Sequence, residues 1–363
     1  MNPRESAALS DNVYMDPLPP VSSDITVGGT KYEVLACRDS GSGYQGVVYL
    51  NINTKEVIVA HRGTEFDRQP MLDGGIDAAM VTARVNAQLS DALALTKQAL
   101  RLADERGSGP VHVTGHSLGG ALAQITAHHY NLPGDAFNPY GAAGLAYRLP
   151  EGQPANAAPF TNHVMAGDLV SAGGPHYGKV EMYALPRELE VLRNAEHGQR
   201  IASLGTPGMK SGHVMSAAVA VQLGDSHRLV HFLDRVTDKG PVQSVLDNPQ
   251  ARITDPDDLR RIADYRRDVH QLRAGTTVLV GGGPGLDHVV LGTPPSDGSG
   301  PRMFVVQGAP ENSAHLRASV PISEAINTTV EQSLAKAEQI AQAQQVGQQD
   351  HAQEQTRTAM RMG

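Results

Sequence analysis

The sequence predicts an α/β fold followed by a small α+β unit and a polar tail, and three observations carry that prediction. A short apolar strand, Val111–Val113, runs into a glycine turn, Gly115-His116-Ser117-Leu118-Gly119-Gly120, and emerges as a helix rich in Ala, Leu and Ile. β-branched segments precede it, and strand-like segments separated by turn residues follow. Late in the chain, two further strand-like runs flank a Gly/Pro/Ser loop after a highly charged helix.

Taken in order, Met1 to Pro20 is polar and Pro-rich and lacks the charged-then-apolar pattern of a signal peptide. Tyr32–Cys37, Gly46–Ile52 and Glu56–His61 then form three strands, with Gly41, Gly43, Asn51 and Asn53 supplying the turns. From Asp91 to Glu105 the spacing of Leu95, Ala99, Leu102 and Ala103 gives a helix with one apolar face. After the glycine turn, a helix runs from Ala121 to Tyr130, and strands are expected at Asn162–Met165 and Gly178–Leu185. Asp257 to Leu272 is a charged helix whose stripe is Leu259, Ile262, Tyr265, Val269 and Leu272. Strands at Leu286–Leu291 and Met303–Gln307 make a hairpin. From Ile322 the pattern is helical, and beyond Glu338 it becomes Gln/Ala-rich and ends in a polar tail, too poor in apolar surface to order itself fully. These changes divide the chain into 1–245 and 246–363.

Composition narrows the function. The 363 residues carry a net charge of −8, with acidic groups spread along the chain, which argues against nucleic acid as a partner. No run approaches the roughly 18–20 apolar residues of a membrane-spanning helix. The single cysteine, Cys37, excludes an internal disulfide and reads as a buried core thiol. No metal constellation stands out, and the Gly281–Gly283 run lacks the Lys-Ser/Thr of a phosphate loop, so neither metal nor cofactor is expected.

The motif Gly115-x-Ser117-x-Gly119 between strand and helix is that of a nucleophile elbow. Such a turn lifts a serine hydroxyl above the sheet in a strained backbone conformation, and a side chain at either glycine would strike the flanking elements. The helix beyond Ser117 aims its first N–H groups at a developing oxyanion. Leu118 N–H is one donor, and the Thr64 N–H, at the end of the Val57–His61 strand, is the candidate for the other. Gly167-Asp168 ends a strand and precedes a Gly-rich loop, so Asp168 suits a carboxylate that orients a histidine, and Ser…Asp…His is the α/β-hydrolase order.

Arg62-Gly63-Thr64, then Gly115–Gly120, then Gly167-Asp168-Leu169-Val170, together over roughly residues 30 to 215, resemble the class 3 lipase family. The resemblance implies an α/β-hydrolase with Ser117 as nucleophile, Asp168 as acid and Thr64 as an oxyanion donor, acting on a lipid ester. His61 departs from the family, which usually has an apolar or aromatic residue there. Five histidines follow Asp168 in this domain: His176, His197, His213, His227 and His231. His176 resembles a family segment that does not supply the base, and His227 and His231 read as surface or packing residues near a helix end. His213, in a loop leading to an apolar helix, resembles the family's base in spacing and is the expected general base. His116 reads as a packing residue of the elbow. Met71, Leu72, Ile76, Met80 and Val81 fall where the family has its lid, although an ordinary connecting helix fits the same residues.

The carboxy-terminal blocks Asp287-His288-Val289-Val290, Phe304-Val305-Val306-Gln307-Gly308, Ala314-His315-Leu316-Arg317 and Val330-Glu331-Gln332-Ser333 resemble the XVIPCD domain of antibacterial type IV secretion effectors over roughly residues 250 to 363. That resemblance implies a secretion signal docking on the coupling ATPase, cytoplasmic residence before export, membrane phospholipid of a rival's periplasm as substrate, and a cognate immunity protein. The expected activity is thus a secreted phospholipase, of A type. The alternatives are an acyltransferase or esterase on a small soluble acceptor, and a non-enzymatic, hydrolase-like binding effector.

Overall fold

The computed structural model describes residues 1–63, 78–145, 147–194, 223–238 and 240–279, and three strands at 288–291, 302–307 and 316–321. An eight-stranded sheet forms the first unit, with its strands in sequence order: β1 (Asp24–Val27), β2 (Thr30–Asp39), β3 (Gln45–Asn51), β4 (Val57–His61), β5 (Val111–His116), β6 (Gly134–Phe137), β7 (Phe160–Met165) and β8 (Lys179–Tyr183). Strands β1 to β4 pair antiparallel, and β4 to β8 pair parallel. This is the α/β-hydrolase-type architecture expected from the sequence.

Alternation along the strands decides what covers each face. Val57 and Val59 join Val48, Leu50, Val111 and Val113 beneath α2 (Ala78–Glu105) and α3 (Leu118–Tyr130), which add Leu95, Ala99, Leu122 and Ile125. Ile58 and Ala60 point the other way and join Tyr32, Val34, Val47 and Tyr49 against Leu9 of α1 (Pro3–Asn12) and Val13, which caps its carboxy-terminal end. Burying each such Val, Leu or Ile contributes about 1.5–3 kcal/mol. Both faces of β4 are therefore covered, which is why V-I-V-A-H shows no polar alternation.

Several expectations change here. The amino-terminal segment is not simply a polar leader. Asn2 caps α1 with Glu5 in a capping box, Pro3 opens the helix, and the serines on its buried face are satisfied by sheet residues. Ser6 Oγ donates to Asp135 Oδ2 at 2.8 Å, and Ser10 and Thr114 share a hydroxyl bond of 2.8 Å. Strand β6 escapes sequence reading because it is short and holds a glycine and an aspartate. A Cβ on Gly134 would stand 2.2 Å from the Val113 carbonyl oxygen, and Asp135 is paired with His163 Nε2 at 2.9 Å. Helix α2 begins well before Asp91. Cys37 is half-buried at the edge of its cluster, not a core thiol, and its Sγ donates to Pro19 O at 3.0 Å.

The first unit also continues past residue 245. Val245 and Ala251 pack with Phe137, Met165 and Phe232, while Ile253, Ile262 and Tyr265 pack with Ala166, Ala184 and Leu223. Ile262 and Tyr265 lie on α4 (Pro256–Leu279), whose buried stripe leaves Leu259 exposed. The expected hairpin is present as β11 (His288–Leu291) and β12 (Arg302–Gln307), and β13 (Leu316–Pro321) pairs antiparallel with β12 to complete a three-stranded sheet. Strands β9 (Arg235–Thr237) and β10 (Gly240–Val242) form a separate small hairpin. The Gln-rich tail and most of the lid segment lie outside the described residues. Among the described residues no helix is long and apolar enough to cross a membrane.

Candidate active site

Ser117 stands between the end of β5 and the start of α3, with φ 58° and ψ −124°. A left-handed serine costs of order 1–3 kcal/mol, so its surroundings must over-determine it. Ser117 N donates to Phe137 O at 3.1 Å, and Ser117 O accepts from Gly120 N at 3.1 Å and Ala121 N at 3.2 Å. Contact forces the glycines of the motif. A Cβ on Gly115 would lie 2.3 Å from Gly119 O, one on Gly119 2.1 Å from His61 O, and one on Gly120 2.6 Å from Pro139 Cβ. The end of β4 thus touches the elbow through bare backbone.

Gly63 continues that contact. A Cβ there would stand 2.5 Å from His116 O and 3.3 Å from Ser117 Cβ. Arg62 is buried, its N–H bonds Gln45 O at 3.0 Å, and its guanidinium lies 5.4 Å from the centre of the Tyr14 ring. Thr64, the expected oxyanion donor that follows, lies outside the described residues, whereas Leu118 opens the first turn of α3, where backbone N–H groups lack helical acceptors. His61, the departure from the family pattern, is a buried polar bridge to Tyr44 Oη (2.8 Å) and Thr126 Oγ1 (3.2 Å). Burial lowers its pKa to about 3, so it is neutral at neutral pH.

Ser117 Oγ meets the imidazole of His227, Nε2 to Oγ 3.0 Å, and His227 Nδ1 meets Asp168 Oδ1 at 2.9 Å. All three side chains are buried. Asp168 also accepts from Val170 N at 3.1 Å and Ser171 N at 2.9 Å. Burial pushes its carboxyl upward, but the charge and hydrogen bond of His227 together with the Ser171 bonds outweigh this and hold it at about 2. An ionised Asp168 fixes the proton on Nδ1 of His227, leaving Nε2 to accept the serine hydroxyl proton. The assembly can therefore activate a hydroxyl and return its proton to a leaving group.

His213, the expected base, falls outside the described residues. The group touching both Ser117 and Asp168 is His227, which corrects the sequence reading of this residue as surface or packing. The missed signal is local. Gly224, Asp225 and Ser226 are turn formers immediately before His227, and they place it in a single 3-10 turn, Gly224–His227, instead of a helix end. His231 does act as a packing residue, donating through Nε2 to Asp225 O at 2.9 Å.

A second layer holds the imidazole by its backbone. His227 O accepts from His116 Nε2 at 2.8 Å and Asn138 Nδ2 at 3.0 Å. Asn138 Nδ2 also reaches Ser226 O at 2.8 Å, while its Oδ1 accepts from Met165 N at 2.8 Å. With Nε2 committed as donor, His116 Nδ1 accepts from Tyr14 Oη at 3.2 Å, and its ring lies 4.7 Å from that of His227. His116 thus packs against the elbow, and beyond that sequence reading it also orients His227. Glu188 is a buried carboxyl that ties two loops together. It accepts from Ser226 Oγ, from Leu185 N at 2.6 Å and from the Gly167 N–H, and burial pushes its pKa up. His176 donates through Nε2 to Ser171 O at 2.9 Å; burial, with the nearby Arg266 charge, lowers it to about 4. Among the described residues no cluster of three or more His, Cys, Asp or Glu side chains could hold a metal ion.

Comparison with known proteins gives the family. Residues 5–220 match the family described as Tle-like phospholipase domain. The chain belongs to this family of Tle-like phospholipases. Residues 284–339 of the same Tle-like protein match the XVIPCD domain, so a lipase-type domain is joined to the carboxy-terminal module that the sequence motifs suggested. Solved structures similar to it include a Rhizomucor miehei lipase propeptide complex (TM-score 0.38, 16% identity, covering 50% of this chain and 67% of that one). A triacylglycerol lipase from Penicillium expansum (0.34, 18%, 50% and 77%) and lipase II from Rhizopus niveus (0.31, 17%, 42% and 66%) are also similar. Comparison with curated proteins gives no match.

Proposed function

We propose that this protein is a serine phospholipase in which Ser117 is the nucleophile, His227 the general base and Asp168 the orienting acid. The observation that carries the reading is the single imidazole bonded at 3.0 Å to the elbow hydroxyl and at 2.9 Å to a buried carboxylate. His227 Nε2 takes the Ser117 proton as Oγ attacks the ester carbonyl. The Leu118 N–H, with that of Thr64, receives the oxyanion. Collapse breaks the ester bond, and His227 passes its proton to the departing alcohol. Water, deprotonated by His227, then releases the fatty acid and restores Ser117. Asp168 stays ionised throughout and stabilises the imidazolium.

The substrate is membrane phospholipid, cleaved in A-type fashion. The carboxy-terminal module directs export through a type IV system by docking on its coupling ATPase, the site of action is the periplasm of a target bacterium, and an immunity protein guards the producer. The family match and the XVIPCD match support this reading. The packing of Ile262 and Tyr265 of α4 with Ala166, Ala184 and Leu223 supports a junction beyond these residues instead of near residue 245. The test is fatty-acid release from phosphatidylglycerol and phosphatidylethanolamine vesicles. Ser117→Ala and His227→Gln should each lower turnover by roughly a thousandfold or more, while His213→Gln stays within a few-fold of the parent. Full activity in His227→Gln, or its loss in His213→Gln, would return the base to His213.

A further inference from the structure

Asp168 sits in the turn that leaves β7, and both ends of that turn are met by one side chain from far along the sequence. Arg266, on α4, directs Nη2 to Ser171 Oγ at 3.0 Å and Nη1 to Met165 O at 3.5 Å. Those two acceptors are also the turn's own closing groups. Met165 O accepts from Asp168 N at 3.1 Å, and Ser171 Oγ donates to Asp168 O at 3.3 Å. Ser171 N in turn bonds the Asp168 carboxylate at 2.9 Å.

The helix that delivers Arg266 is itself fixed. Ile262 and Tyr265 are buried against Ala166 and Leu223, and Asp258 at the helix start takes both prongs of Arg193 at 3.1 and 2.6 Å. A planar guanidinium holds Nη1 and Nη2 in a fixed fork that suits a pair of acceptors on either side of one turn, a geometry that the compact ammonium of a lysine does not reproduce. This stretch follows residue 220, where the match to the phospholipase family ends, and precedes the XVIPCD match.

We infer that Arg266 is a positioning residue for Asp168, and that the first half of α4 is a working part of the catalytic unit and not a linker to the carboxy-terminal module. The inference rests on the Ser117, His227, Asp168 reading. Displacing an acid that aligns the imidazole degrades the attack geometry without touching the lipid site, so the loss falls on kcat.

The test compares the full-length parent with Arg266→Gln, Arg266→Lys, Ser171→Ala and the Arg266→Gln/Ser171→Ala double variant. Two quantities are read: steady-state hydrolysis of phosphatidylglycerol vesicles and the rate at which a fluorophosphonate labels Ser117. Arg266→Gln should lower kcat and the labelling rate together by about tenfold or more, with KM within twofold. Arg266→Lys should recover only part of the loss, and the double variant should be no worse than its worse single parent, because both act through one turn. Arg267→Gln, one residue on and exposed, should behave as the parent. Unchanged kcat and labelling in Arg266→Gln, or losses that simply add in the double variant, would overturn the inference. Should Arg266→Gln not fold, Ser171→Ala and Arg266→Lys carry the same comparison. A parent that fails to label at Ser117 would instead sink the underlying reading, which keeps the two failures distinct.

Discussion

The elbow and the support behind His227 are both buried and both densely bonded, yet they are built in opposite ways. From Val111 to Gly120 the residues that shape the turn around Ser117 are consecutive, and crowding against the turn's own backbone (Gly115), the His61 backbone (Gly119) and the Pro139 side chain (Gly120) leaves only glycine at three positions. The imidazole of His227 is held instead by groups gathered from across the sequence. His116 and Asn138 grip its carbonyl, and Glu188 grips the neighbouring Ser226. A contiguous device is set by sterics and admits almost no substitution. A dispersed one is set by hydrogen bonds to main-chain carbonyls and should weaken by degrees.

The sharpest way to break that contrast is a methyl group. Gly119→Ala places a Cβ 2.1 Å from His61 O, a clash that only movement of β4 or α3 can relieve. The expected cost is about 4 kcal/mol or more, seen as a fall in melting temperature of roughly ten degrees or as loss of folded protein. A melt within two degrees of the parent's would show that the elbow is less rigid than its contacts require.

The dispersed side should respond more gently. Asn138→Ala removes one of two donors to His227 O and frees Ser226 O and Met165 N, so kcat should fall by about ten- to a hundredfold with little change in KM. If the variant instead loses stability as severely as Gly119→Ala, the two regions do not differ in kind.

Acid gives the smallest and most graded comparison. His61 beneath the elbow and His176 beneath the Asp168 turn are both buried and held neutral, at about 3 and about 4. Below an ordinary histidine pKa of about 6.5, the unfolded chain binds protons that the folded chain refuses. Their contribution to stability is therefore complete above about 6.5 and declines as pH falls towards those lower values. His61→Gln, which keeps a donor and an acceptor for Tyr44 and Thr126, should flatten the fall in melting temperature between roughly pH 7.5 and roughly pH 4.5. His176→Gln should flatten it less. An unchanged slope in both would assign the acid sensitivity to other groups.

The same contrast explains what the sequence could disclose. Ser117 and its glycines are adjacent in the chain, and the strand and helix that frame them have clear apolar patterns, so the elbow could be read directly. Asp168 stood out because a strand, β7, gives way to a turn at Gly167. His227 did not, because Gly224, Asp225 and Ser226 announce a turn but not a partner more than a hundred residues upstream. The buried face of α1 was hidden for a similar reason: Ser6 and Ser10 look solvent-facing until Asp135 and Thr114 are seen opposite them. Strand β6, with a glycine and an aspartate among its four residues, carries too little apolar signal to be recognised alone.

The order in which these groups occur along the chain also has a consequence during synthesis. The turn that carries Ser117 and the helix behind it are translated first, and Asp168 follows Ser117 by about fifty residues. The imidazole and the guanidinium that pins the acid turn come last, at 227 and 266. A chain interrupted before His227 would present a serine with no proton acceptor at Nε2 distance and would be inert towards esters. On the proposed function, late arrival of the base keeps a truncated translation product from attacking lipid esters in the cell that makes it.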